Sequence, residues 1–259
     1  MARGAFVGAA LLLPLSHHAA SAQPAPFTLT YATYVHGLNA MNMEAVVALT
    51  AQHYQLQLSY RLTGLVGTLF SGQATSTVDG QFRGNTPVPS RMVSTGVFRG
   101  KHRVTAIEWK DGNPVITQLI PPVEEEREPV PVADQAHTID ALSAMAWLFH
   151  QVAATGRCDG AFTTFDGRRL SDLRAQTVGE EVLAPTTRSS FQGPALRCDF
   201  EGHQTAGFLR DTDQDSLRKP QHGSAWFARV VPGAAPVPVR ITFGLRAFGE
   251  ATIYVTGPS

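Results

Sequence analysis

The clearest periodicity along this chain is two. Tyr54, Leu56, Leu58, Tyr60 and Leu62 alternate with Gln55, Gln57, Ser59 and Arg61, giving one dry face and one wet face. The same pattern runs through Phe27-Leu29-Tyr31-Thr33-Val35, Met43-Ala45-Val47-Leu49 and Val237-Val239-Ile241-Phe243. Further strands are predicted over Arg91–Phe98, His102–Trp109, Pro114–Ile120, Gly160–Phe165, Arg168–Thr177, Ala195–Gly202, Ala225–Val231 and Glu250–Val255. Asp79-Gly80, Asp111-Gly112 and Asp166-Gly167 read as hairpin turns, because both residues tolerate positive φ. About ten strands with one dry side must curl over it as a barrel, half-barrel or sandwich.

One segment breaks the alternation. From Thr138 to Thr155, Ile139, Leu142, Met145, Ala146, Leu148, Phe149 and Val152 recur at helical spacing. Thr138 or Asp140 is suited to cap its start, and Gly156 to end it. The stripe needs a dry surface, and the sheet supplies one. The predicted fold is mainly β: a curved antiparallel sheet, half-barrel or open barrel, with one amphipathic helix on its concave face. Before the helix, Pro121 to Pro131 form a Pro-bracketed acidic stretch, read as an extended, solvated connection. Residues 23–259 read as a single domain.

The first 22 residues read as an address. Arg3 precedes an apolar stretch from Gly4 to Leu15, and Ala20-Ser21-Ala22 offers small residues for cleavage after Ala22. That stretch falls short of the roughly 20 residues a spanning helix needs, and no later run approaches it. The expectation is a soluble protein exported to the periplasm. The 21 basic and 21 acidic residues cancel, so no basic footprint for nucleic acid appears. Cys158 and Cys198, an even pair in an oxidising compartment, read as a disulfide; two independent buried thiols are the rival.

Catalytic signatures are missing: no Gly-x-Ser-x-Gly elbow, no P-loop, no Rossmann glycine pattern. The histidines after the leader lack His-x-His or His-x-x-x-His spacing. Asp211, Asp213 and Asp215 have the spacing of Ca²⁺ ligands, but Ser216 and His222 stand where the loop needs Gly and a bidentate Glu. A solvated loop is the better reading. Glu180-Glu181 reads as an exposed hairpin end. Trp109, Trp147 and Trp226 read as core packing rather than sugar platforms. No catalytic residue, metal ligand or cofactor site is therefore assigned.

Several short motifs carry a family resemblance. They are Asp140-Ala-Leu-Ser-Ala144, Gln151-Val-Ala-Ala-Thr-Gly156-Arg-Cys158-Asp-Gly160, Phe165-Asp-Gly-Arg-Arg169, Gly193-Pro-Ala-Leu-Arg-Cys198, Ala206-Gly-Phe208 and Pro238-Val-Arg-Ile241. In this order they resemble a family of proteobacterial periplasmic proteins, domain of unknown function 3108. The resemblance implies export, a curved sheet with one helix, and pairing of Cys158 with Cys198. It brings no catalytic residues. The chain departs from the pattern at Ala141, where the family has Pro.

Three functions follow as expectations. The first is a non-catalytic binding module for a lipid or other apolar small molecule between sheet and helix. Its wall would include Leu56, Leu58, Tyr60, Leu142, Met145, Phe149 and Val152, unless helix and sheet simply pack together. The second is an envelope assembly factor binding another protein through a sheet edge or the Pro-Glu strip. The third is an enzyme, a hydrolase whose Ser, His and Asp converge from distant positions.

Overall fold

The computed structural model describes Met1, residues 25–246 and residues 249–258; the predicted leader and its cleavage site lie outside the described residues. Thirteen strands occur among the described residues. They are β1 (Phe27–Val35), β2 (Leu38–Leu49), β3 (His53–Leu62), β4 (Gly72–Arg83), β5 (Thr86–Phe98), β6 (Lys101–Lys110) and β7 (Asn113–Ile120). After the main helix follow β8 (Gly160–Phe165), β9 (Leu170–Leu183), β10 (Gly193–Ala206), β11 (Gln221–Ala228), β12 (Val237–Leu245) and β13 (Gly249–Pro258). Three helices punctuate them: α1 (Gly64–Phe70), α2 (Ala141–Thr155) and α3 (Gln214–Arg218).

All thirteen strands form one antiparallel sheet, in the order β7-β6-β5-β4-β3-β2-β1-β13-β12-β11-β10-β9-β8. The first and last described strands pair with each other, β1 on β13, so β7 and β8 become the two edges. The sheet is open, as expected of a curved, unclosed barrel. Its ends nevertheless approach. Gly167, in the turn between β8 and β9, leaves no room for a Cβ, which would sit 2.8 Å from Thr105 Cγ2. Beside it, Arg168 Nη2 donates to the Pro121 carbonyl at 2.8 Å.

Helix α2 fills the concave side. Leu142, Ala146, Trp147, Phe149 and Val152 are buried in one cluster with Leu29, Val47, Leu56, Val78, Met92 and Ile107 from the sheet. Asp140 caps the helix by accepting from the Leu142 and Ser143 backbone N–H groups, and Gly156 ends it at φ 66°. The helix starts at Ala141 rather than Thr138. Ile139 belongs instead to a bridge with Thr164, where its N–H donates to the Thr163 carbonyl and its own carbonyl accepts from Phe165.

Three expectations need correction. Asp79-Gly80 lies inside β4 at a register shift, not in a turn. Gly80 is needed for a different reason: a Cβ there would stand 2.2 Å from the Tyr54 ring. Glu181 is part of β9, not a hairpin end; it binds Arg197 Nη1 and accepts from Trp226 Nε1. The Pro-Glu stretch is solvated at Glu124, Glu125 and Glu128, but it is not a free, extended connection. It forms a short 3₁₀ turn at Val123–Glu125, is followed by another at Val132–Gln135, and pairs with the chain after β10, through Glu128 N–H to the Phe208 carbonyl and Arg210 N–H to the Glu126 carbonyl. This strap ties the β7 side of the sheet to the β10 side.

Candidate binding cavity

The site arises from register. Reading across β3, β4, β5 and β6, Leu56 pairs with Val78, Val78 with Met92 and Met92 with Ile107. That apolar row lies under α2. Two residues along, the row is Leu58, Ser76, Ser94 and Thr105; two further, it is Tyr60, Ala74, Gly96 and Arg103. Because alternate residues share a face, all three rows look inward. The inner face thus changes from dry, to hydroxyl-bearing on β4, β5 and β6, to a row of small side chains on β4 and β5 flanked by Tyr60 and the charged Arg103. Ser76 Oγ donates to Ser94 Oγ at 2.8 Å across this floor.

Where the row turns polar, the packing opens. A cavity of about 470 Å³ lies between these rows, the start of α2 and the β8–β9 turn. Met92, Phe98 and Leu142 give it an apolar side, and Ser76, Ser94 and Thr105 a hydroxyl floor. Four arginines line its rim: Arg103 from β6, Arg127 from the strap, and Arg168 and Arg169 from the turn.

Two of these arginines have carboxylate partners. Arg103 holds Glu126 with both nitrogens of its fork, at 2.9 and 2.6 Å, and its hydrogen bonds hold the Glu126 carboxyl below the usual range against the opposing effect of burial. Arg169 pairs with Asp166 at 2.7 Å. The other two meet only backbone carbonyls, Arg127 that of Gly207 at 2.9 Å and Arg168 that of Pro121. Burial lowers the pKa of Arg168 and the neighbouring Arg103 charge lowers it further, opposed by Glu126 and Asp166.

At the inner end, the helix start is knit to the sheet. Tyr54 OH donates to Ser143 Oγ at 2.8 Å, and the Ser143 hydroxyl turns to Asp140 Oδ2. Burial raises the Tyr54 phenol above its ordinary pKa. Burial likewise pushes the Asp140 carboxyl up, opposed by its hydrogen bonds to Ser143. This chain of three polar groups is sealed in the core and anchors α2.

The residues read from sequence as a ligand wall fall into two places. Leu56, Phe149 and Val152 are buried in the packed core, with Leu58 and Met145 against its margin. Tyr60 and Leu142 line the cavity. Sequence reasoning missed the polar half, Ser76, Ser94, Thr105 and the four arginines. Inward-phase hydroxyls on β4 and β5 were the available signal. Cys158 and Cys198 form a disulfide with Cα atoms 6.3 Å apart, joining the approach to β8 with β10 across β9. Trp147 packs edge-on against Phe162 and Trp109 donates to the Thr138 carbonyl, while Trp226 lies between the Arg197 and Arg240 guanidiniums and Glu181. Asp213 caps α3, and no group of three metal-ligating side chains occurs among the described residues.

A family model described as "Protein of unknown function (DUF3108)" matches residues 26–256. No curated protein matches the chain. Among solved structures, the fold is similar to that of a "Beta-barrel-like Protein of Domain of Unknown Function DUF1849 from Brucella abortus". The TM-score is 0.54 at 11% identity, over 90% of this chain and 97% of the other.

Proposed function

The chain belongs to the DUF3108 family of proteins of unknown function, and we propose that it is a non-catalytic binding module of the periplasm. The observation that carries this reading is the cavity between the inner face of the sheet and the start of α2. Its volume is within the roughly 300–1,000 Å³ range of small-molecule sites, with one apolar side and a few convergent polar groups. Those groups are guanidiniums and hydroxyls, which suit holding a ligand; an arginine does not give up its proton in a protein. The Cys158–Cys198 disulfide supports export to an oxidising compartment, where the leader 1–22 would direct the chain. Among the described residues no helix is long and apolar enough to cross a membrane.

A second reading has its own observation. Edge strand β7 pairs only with β6 and exposes Val115, Ile116 and Ile120. An exposed apolar edge accepts a strand from another protein. Native mass spectrometry of the protein purified from its own periplasm, before and after organic extraction, separates the two. A small-molecule mass near one per chain that leaves on extraction is the expected result. A bare chain, or one carrying only a protein partner, would overturn the binding-module reading.

A further inference from the structure

We propose that this cavity is an oxyanion site, in which the guanidiniums of Arg168 and Arg127 receive a phosphate or carboxylate group of the ligand. The proposal rests on the binding-module reading and adds the chemistry of what is bound. Arg168 is only 9% exposed, yet its Nη1 is buried without any hydrogen-bond partner. A guanidinium removed from water in this way is costly unless an anion faces it.

The groups around it do not supply that anion. Glu126 is engaged by Arg103 and Asp166 by Arg169. Asp166 is occupied further, accepting from the Arg168 and Arg169 backbone N–H groups. Asp140 faces its own helix, with Oδ1 on two backbone N–H groups and Oδ2 on the Ser143 hydroxyl. Four guanidiniums therefore share two carboxylates, Glu126 and Asp166, and Arg127 and Arg168 hydrogen-bond only neutral carbonyls. A planar fork of donors suits phosphate or carboxylate oxygens above other anions. The hydroxyl floor offers further donors, and Met92, Phe98 and Leu142 an apolar side for whatever the anion is attached to. Phosphate as a free ion and phosphate or carboxylate on an amphiphile share this chemistry.

Isothermal titration of the full mature protein with octyl phosphate, octanoate, inorganic phosphate, octanol and octyltrimethylammonium tests the inference. Octyl phosphate or octanoate is expected to bind one per chain, about tenfold or more tighter than octanol or the cation. Arg168→Gln should remove that preference, bringing octyl phosphate and octanoate to the affinity of octanol. Arg127→Gln, on the strap rather than in the turn, should weaken anion binding in the same sense even if Arg168→Gln fails to fold. Inorganic phosphate binding as tightly as octyl phosphate supports a free anion; weaker binding supports an amphiphile. Equal affinity for anionic, neutral and cationic probes would overturn the oxyanion site while the binding module stands. Failure of every probe to bind would overturn both.

Discussion

Tyr54 in β3 and Ser143 in α2, 89 residues apart in the chain, are joined by a buried hydrogen bond of 2.8 Å. It fixes the start of the helix over the sheet, at the inner end of the cavity. Tyr54→Phe removes the bond but keeps the ring, and Ser143 still has Asp140 as a partner. The expected cost is about 1–2 kcal/mol in urea denaturation. Gly80→Ala should cost more, because its Cβ would stand 2.2 Å from the ring that carries the hydroxyl. If Gly80→Ala has wild-type stability, the close approach of Tyr54 is not a constraint.

The disulfide closes a separation of 40 residues, and both sulfurs are buried. In the chain-entropy view such a loop stabilises the fold by roughly 4 kcal/mol. The double variant Cys158→Ser/Cys198→Ser should therefore unfold at clearly lower urea with an intact strand signature by circular dichroism. A midpoint equal to wild type would mean that the strands hold this region without it.

Glu126 gives the strap a pH dependence. Its hydrogen bonds to Arg103 lower its pKa in the folded chain, outweighing the burial that raises it. A carboxyl lowered by folding adds stability above its unfolded pKa, and that contribution is lost as pH falls through the folded value. At pH 7, Glu126→Gln should be less stable than wild type by about 1 kcal/mol, a modest figure because both side chains are partly exposed. The difference should close as pH drops below the ordinary carboxylate range. A gap that persists at low pH would show that packing, not the ion pair, holds the strap.

Gly207 ties the strap to the β8–β9 turn. Its φ is +75°, and a Cβ there would stand 1.9 Å from the Arg168 carbonyl oxygen. Gly207→Ala should destabilise the fold through both strain and that clash, and displace the turn that carries Arg168. Hydrogen exchange should then rise first in β8 and in the turn. Unchanged exchange there would separate the turn's position from Gly207.

Most strands were legible because one face of each is dry. β3 and β1 alternate cleanly, and the α2 stripe stands out from them by its spacing. β4 was not legible as a strand, since its inward positions Ala74 and Ser76 are small or polar. That same departure marks the cavity. A sheet that buries only apolar side chains advertises its register, whereas one that opens onto a polar floor hides it. Glu181 was misread because an acidic pair beside Gly179 resembles a turn, while its partners Arg197 and Trp226 come from neighbouring strands. The arginine rim draws on β6, the strap and a turn, and nothing in their sequence spacing announces that they meet.

The most direct test is to fill the cavity without touching its charges. Ala74 lines it from the inner face of β4, between Tyr60 and Gly96 in register. Ala74→Trp, purified from the periplasm beside wild type and confirmed folded by circular dichroism, should carry no ligand in native mass spectra where wild type carries one. Ligand retained by the folded Ala74→Trp protein at wild-type occupancy would place the bound molecule elsewhere and contradict the assignment of this cavity as the binding site.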